Sequence, residues 1–347
     1  MGLIERWRDR LPVTANTPVI SLGEGDTPLV ELHGTPESQA LDIRVFAKFD
    51  GCNPTGSFKD RGMTMAVSKA VEGGATAVAC ASTGNTSASA AAYAARAGLA
   101  CVILLPAGYV AAGKIAQTIL TGASIVQIEG NFDDALRLTR LLCDESGVAL
   151  VNSVNPNRIQ GQKTIAFEVA AELGDAPEYH ALPVGNAGNI TAHWLGYSEL
   201  FADGATTRRP RMLGFQAAGA APIVHGAPVA HPETVATAIR IGNPASWRQA
   251  LAARDESRGV IEAVTDEEIL TAYQALARQG LFCEPASAAS YAGVTRMIAE
   301  GRLEAGSRVV CTLTGHGLKD PATAGTLAGL PDPVPATLDA VSRAAKL

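Results

Sequence analysis

The sequence predicts an α/β fold made of two doubly wound open-sheet domains. Three observations carry that reading. Short apolar runs alternate with longer alanine-rich segments of helical character, as in βαβ units around a parallel sheet. The alternation comes in two successive series, and 347 residues is a length that suits two domains. The composition is 47% hydrophobic but only 5% aromatic, with 35 glycines. Such small side chains suit closely packed helix–sheet layers better than an all-β sandwich.

The elements follow in order. The stretch to about Pro54 is mixed, with short β-like pieces at 28–32 and 43–47. The first regular series has strands at 77–80, 100–105, 124–128 and 148–151, with helical segments near 60–72, 86–97, 113–121 and 132–146. The second has a helix at 158–173, a strand at 179–184, a helix at 188–203 and a strand at 211–215. A loop-rich region at about 218–245 holds His225, His231 and several prolines. Helices at 265–279 and 286–299 and a strand at 308–312 complete it, and a proline-rich end follows Gly329. Strands of four to six apolar residues fit a sheet covered on both faces.

A net charge of -6 and the lack of any Lys/Arg run argue against a nucleic-acid surface. The six cysteines (Cys52, Cys80, Cys101, Cys143, Cys283, Cys311) form no C-x-x-C pair and mostly sit in apolar stretches. They read as reduced thiols of a cytoplasmic protein. The first residues lack the apolar core of a signal peptide. The apolar uncharged run between Arg96 and Lys114 is broken by Gly98, Pro106, Gly108 and Gly113. A spanning helix needs about 20 apolar residues, so no membrane segment is expected. No metal site is expected either.

Four motifs carry chemistry. In Asn53-Pro-Thr-Gly-Ser-Phe-Lys-Asp-Arg61, turn signals precede a helix, so Lys59 lies at a loop-to-helix junction. There its ammonium can be partly desolvated, which lowers a lysine pKa and favours attack on an aldehyde. A solvated first-turn lysine is the plainer alternative. Ala81-Ser-Thr-Gly-Asn-Thr-Ser87 follows a strand and opens a helix. Its free N–H groups, with Ser82, Thr83, Asn85 and Thr86, suit a carboxylate or phosphate, or they are ordinary caps. Pro183-Val-Gly-Asn-Ala-Gly-Asn-Ile190 also joins strand to helix. It reads as a phosphate cradle or as a tight turn, and it lacks both the Walker ending and G-x-G-x-x-G. Cys311-Thr-Leu-Thr-Gly-His-Gly-Leu-Lys-Asp320 ends the last strong strand, where ligands of open α/β sheets gather. Thr314 there can offer a hydroxyl to a ring nitrogen, or cap a helix.

In this order and spacing the motifs resemble the tryptophan-synthase-β-like (fold type II) group of pyridoxal-phosphate enzymes, and within it the threonine synthases. Gly23-Glu-Gly-Asp-Thr-Pro-Leu29 and Cys283-Glu-Pro-Ala-Ser-Ala288 add to the match, which spans about residues 20–325. The resemblance implies pyridoxal 5'-phosphate (PLP) in a cleft between a small domain, 56–152, and a large one built from 1–55 and 153–347. It implies Lys59 as the Schiff-base lysine and proton carrier. Gly185, Asn186, Ala187, Gly188 and Asn189 would cradle the cofactor phosphate. Asn85 would bond the pyridine 3'-oxygen, and Thr314 would face the ring nitrogen. The implied reaction converts O-phospho-L-homoserine and water to L-threonine and phosphate. The substrate carboxylate would sit on the helix start from Ser82 through Thr83 to Thr86. Thr86, Lys114, Ser153 and Arg158 are candidates for the leaving phosphate, since Arg grips phosphate by paired hydrogen bonds; plain surface charge is the alternative.

A threonine or serine dehydratase, or another fold-type-II PLP lyase, is the alternative activity. Dehydratases usually lack the two asparagines of the phosphate loop and need no site for a substrate phosphate. A non-catalytic PLP carrier is the reading from another class, and the presence of Lys59 argues against it. The family resemblance further implies a homodimer. With the Gly-Glu-Gly motif starting at Gly23, no activation by S-adenosylmethionine is expected.

Overall fold

A computed structural model describes residues 1–108, 112–327, 329 and 331–346, except for the side chains of 112–114. Among the described residues the strands are β1 (Leu29–Glu31), β2 (Arg44–Phe49), β3 (Ala77–Ala81), β4 (Ala100–Pro106), β5 (Ser124–Ile128), β6 (Ala149–Leu150), β7 (Tyr179–Pro183), β8 (Arg211–Ala217), β9 (Val260–Val264) and β10 (Arg308–Leu313). They make a six-stranded sheet in the order β1-β2-β10-β7-β8-β9 and a four-stranded sheet in the order β5-β4-β3-β6. Only the β1–β2 pair is antiparallel.

The central strands β3 and β7 are buried along their whole length, whereas β5 and β9 at the sheet edges are partly exposed. The sequences of β3 and β7 therefore read as continuous runs and not as alternations. In the six-stranded sheet Leu213, Phe215, Val309 and Cys311 pack on one face. Their neighbours Met212 and Val310 pack on the other, as the period of two requires. A separate cluster with Met63, Val78, Tyr93 and Ile103 fills the four-stranded unit. Helix starts are marked locally. Asn131 caps Phe132–Ser146, and Thr265 with Glu268 forms a capping box on Asp266–Arg278.

Strand order fixes where ligands can bind. The chain steps from β3 to β4 to β5, then places β6 on the other side of β3. It repeats the manoeuvre in the larger sheet, stepping from β7 to β8 to β9 before β10 returns beside β7. Each reversal is a topological switch point, where the loops after adjacent strands diverge and leave a crevice. The loops at the first are those after Ala81 and Leu150. At the second they follow Pro183 and Leu313, with the loop after β2 alongside.

Two expectations change. The helix expected at 158–173 is two helices, Pro156–Gln162 and Thr164–Leu173. Pro156 sets the earlier start, since its fixed φ suits the first helical turn. The stretch before 265, where no element was expected, holds the helix Trp247–Glu256 and the strand β9. The helix buries only Ala250 and Ala253. β9 is a half-exposed edge strand with Glu262 at its centre. The helix lacks a broad apolar face, and Glu262 interrupts the apolar run of β9.

Candidate active site

Lys59 is the first residue of the helix Lys59–Glu72. The loop before it runs along the end of β10. Phe58 N–H donates to the Thr314 carbonyl at 2.9 Å, and His316 N–H donates to the Gly56 carbonyl at 2.9 Å. The next two residues are anchored inward. Asp60 accepts from Thr55 N–H at 2.7 Å, Thr55 Oγ1 at 2.6 Å and Ser89 Oγ at 2.6 Å. Arg61 is buried and pairs with Asp50 at 2.8 Å and Glu168 at 2.6 Å. Lys59 is half-buried, with Nζ 4.3 Å from the Phe58 ring centroid. Burial first, then the charge of Arg158, lowers its pKa to about 7, and Glu284 opposes the fall. At neutral pH much of it is therefore a free amine.

Arg158 comes near Lys59 because two helices approach closely. A Cβ on Gly62 would lie 2.9 Å from the Arg158 carbonyl oxygen, and one on Gly161 would collide with the Arg61 carbonyl. Larger residues would push Pro156–Gln162 away from the lysine helix. The Arg158 guanidinium is buried and among the described residues gives one bond, Nη1 to the Val151 carbonyl at 3.2 Å. Its Nε and Nη2 have no partner among the described residues, and burial lowers its pKa to about 10. A buried, under-bonded cation of this kind is costly unless an anion meets it.

The loops flanking Arg158 converge on the first switch point. Asn152 accepts from Ala81 N–H at 3.0 Å and donates to the Ala81 carbonyl at 2.9 Å. This joins the turn holding Ser153 to the start of the loop holding Ser82 and Thr83. Ser82 Oγ accepts from Gly84 N–H at 3.2 Å, and Thr86 is buried in the first turn of the helix Asn85–Ala97. Lys114 lies in the first turn of the helix Ala112–Leu120, and its side chain is outside the described residues.

The second switch point holds the residues expected for a phosphate. Ala187 adopts the left-handed conformation (φ 65°), and Gly188 begins the helix Gly188–Ala202, so the N–H groups of the first turn face outward from the helix end. Asn186 accepts from Ala245 N–H at 2.7 Å through Oδ1, which ties the loop to the 245–246 turn. A Cβ on Gly185 would lie 2.9 Å from the Ile239 Cα, so only glycine fits there. Asn189 is buried, and its Nδ2 has no partner among the described residues. Beside the loop, Thr314, directly after β10, is buried and bonds Ser287 at 3.0 Å.

Sequence reading did not single out Glu284. It is buried, directly before the helix Pro285–Ala299, and accepts from Asn85 Nδ2 at 3.2 Å and 3.1 Å. Burial raises its pKa. The contact joins the four-stranded unit to the six-stranded one and sets which way the Asn85 amide faces. Lys319 was likewise missed, and it donates to the Thr55 carbonyl at 3.1 Å and Gln117 at 2.9 Å. Their only signal was membership in the quoted Cys283–Ala288 and Cys311–Asp320 runs.

These groups fit an anionic aldehyde cofactor. A lysine held at about 7 supplies the amine. An orphaned Asn189 amide, an outward-facing helix start and a glycine pressed on Ile239 supply an anion cradle. The Ser57 hydroxyl, two residues before Lys59, is a further buried group with no partner among the described residues.

Comparison with known proteins agrees. The family profile described as pyridoxal-phosphate dependent enzyme matches residues 20–315. The chain belongs to this family of pyridoxal-phosphate-dependent enzymes. Among its relatives, the threonine synthase of Mycobacterium leprae is 58% identical over 98% of this chain and 94% of that protein. That of Synechocystis sp. is 58% identical over 92% of this chain and 84% of that protein. Among solved structures, the processed threonine deaminase isoform 2 from Solanum lycopersicum aligns with a TM-score of 0.75 at 19% identity, over 94% of each chain. That likeness shows the fold alone.

Proposed function

We propose that the chain is a threonine synthase that converts O-phospho-L-homoserine and water to L-threonine and phosphate. The observation that carries the reading is Arg158, a buried guanidinium with two nitrogens unpartnered among the described residues, which lowers the pKa of Lys59. A dehydratase has no substrate phosphate to place there. The mycobacterial and cyanobacterial threonine synthases, at 58% identity, support the same reading.

Bound PLP supplies an electron sink for negative charge developed on substrate carbon. Lys59 would hold it, residues 185–189 would cradle its phosphate, Asn85 would meet its 3'-oxygen and Thr314 its ring nitrogen. The chain's own groups do the rest. Because Lys59 is held near 7, its Nζ can accept a proton from substrate Cα and Cβ and return one near neutral pH. Ser82, Thr83 and the first turn after Gly84 orient the substrate carboxylate. Arg158, with Thr86, Ser153 and Lys114, receives the leaving phosphate, where paired Arg–phosphate bonds favour departure. Residues 56–152 form the small domain and 1–55 with 153–347 the large one. The reading extends to a cytoplasmic homodimer. The cytoplasmic part is supported by cysteines that are all free among the described residues, and the chain carries no described helix long and apolar enough to cross a membrane.

The test is phosphate release from O-phosphohomoserine with the wild type, Lys59→Ala and Arg158→Met. Release in the wild type that is abolished in Lys59→Ala and severely reduced in Arg158→Met supports the proposal. Ammonia release from threonine at a rate rivalling phosphate release would instead make the chain a dehydratase.

A further inference from the structure

Behind the phosphate cradle lie two buried histidines that the reaction does not use. His180 sits on β7 and His193 on the helix Gly188–Ala202, and both are fully buried together with Tyr197 and Thr312. His193 Nδ1 lies 2.8 Å from the Asn189 carbonyl and its Nε2 3.1 Å from Thr312 Oγ1. His180 Nε2 lies 2.8 Å from the same hydroxyl, and its Nδ1 lies 2.8 Å from Tyr197 OH.

One anchor resolves every proton. A carbonyl only accepts, so His193 Nδ1 carries its hydrogen. Neutral His193 then has a bare Nε2, which accepts the Thr312 hydroxyl hydrogen. With that hydrogen used, Thr312 Oγ1 accepts from His180 Nε2–H. The bare Nδ1 of His180 accepts the Tyr197 hydroxyl. Reversing either ring would set lone pair against lone pair in a dry interior, where an unmade hydrogen bond is costly. Burial keeps both rings uncharged, lowering His193 to about 4 and His180 well below its ordinary value.

We propose that Tyr197, His180, Thr312 and His193 form a one-directional hydrogen-bond chain that positions the Asn189 end of the phosphate cradle relative to Thr314. The hub gives it this role. Thr312 is on β10, and Thr314 follows the strand one residue after its last position, Leu313, so a single residue of backbone links the hub to the ring-nitrogen position. The Thr312 hydroxyl is held from the helix that begins with the cradle. The chain thus spaces the two ends of the cofactor site, the phosphate and ring-nitrogen positions, from one hydroxyl. The inference rests on reading residues 185–189 as the cofactor's phosphate cradle. These four residues are positioning residues and touch no reacting atom.

Two measurements test it on the holoenzyme. The chain has six histidines, so a long-range proton–nitrogen spectrum of protein labelled only at histidine nitrogen is simple to read, with His180→Gln and His193→Gln assigning the two rings. The expected result is His193 hydrogenated at Nδ1 and His180 at Nε2, both neutral at pH 7. Either opposite tautomer, or a charged ring, overturns the chain. Thr312→Val keeps the shape and deletes the hub. It should weaken PLP binding by about tenfold, the scale of one lost buried hydrogen bond, and move the phosphorus resonance of bound PLP. Thr312→Ser should restore both. A folded Thr312→Val with wild-type PLP affinity and phosphorus signal overturns the positioning role. Should Thr312→Val not fold, the tautomers and Thr312→Ser, which must match the wild type, decide the matter. Failure of the underlying cofactor reading looks different, since the wild type itself would then bind no PLP while its tautomers stood as assigned.

Discussion

Replacing Lys59 with Met in the cofactor-free protein should change stability in a pH-dependent way whose sign is fixed by the fold. In the native state Lys59 is held at about 7 against an ordinary 10.5. Between those limits the unfolded chain binds a proton at this lysine that the native chain does not, so native stability rises with pH across that window. The penalty is fully present below about pH 7 and gone above about 10.5. Its ceiling is about 5 kcal/mol. Lys59 is only half-buried, so solvent screening brings the expected value to roughly 2–3 kcal/mol. The assay is urea unfolding of both proteins from pH 7 to pH 10.5, followed by the fluorescence of the three tryptophans. The wild type should gain that amount relative to Lys59→Met as pH rises. Any fixed offset from burying Met is independent of pH and cancels. Parallel pH profiles would refute a desolvated lysine, and with it the physical basis for its role as amine and proton carrier.

Other substitutions separate the remaining groups. Arg158→Met should raise KM for O-phosphohomoserine by at least about 100-fold, as expected for lost charged hydrogen bonds. It should leave the cofactor-free protein as stable or more so by about 1–3 kcal/mol, because it removes an under-bonded buried charge; steady-state kinetics and urea melts read both. Asn189→Ala should weaken PLP binding by about tenfold with unchanged far-ultraviolet dichroism, measured by equilibrium titration. Glu284→Gln removes the negative charge that props up Lys59, so the lysine should fall further below about 7. The pH dependence of its reductive methylation, followed by peptide mass spectrometry in cofactor-free protein, should move to lower pH.

What was legible in the sequence was local. Apolar runs such as Ala77–Ala81 bury every residue, so strand and core coincide in one short stretch. Lys59 and the 185–189 loop each lie at a junction between a loop or strand and a helix, where turn residues announce the geometry. Distant partners left no such trace. Glu284 reaches Asn85 across 199 positions, and an isolated Glu-Pro reads only as a helix start. His180 and His193 look like scattered polar residues in apolar stretches until β10 brings Thr312 between them. β9 was missed because Glu262, paired with Arg296 and Arg302, interrupts the apolar run Val260–Val264 at its centre.

The buried polar groups around the lysine helix sort into two kinds. Lys48, Asp50, Arg61 and Glu168 form a buried network that reaches the surface through Glu172. Arg61 is paired with both carboxylates and Glu168 also with Lys48 at 3.1 Å. Losing Arg61 would leave Asp50 without its cation, so the network locks the β2 loop and the lysine helix to Thr164–Leu173. Arg158 Nε and Nη2, Asn189 Nδ2 and Ser57 Oγ are buried with no partner among the described residues. A fold that satisfies the first set so fully has the means to satisfy the second. Donors left unmatched at two switch points cost stability that an incoming anion can recover. The adjacent motif Lys59-Asp60-Arg61 holds both strategies in three residues. Asp60 and Arg61 are fully bonded to make the turn rigid, and that rigidity is what lets Lys59 stay desolvated and ready to react.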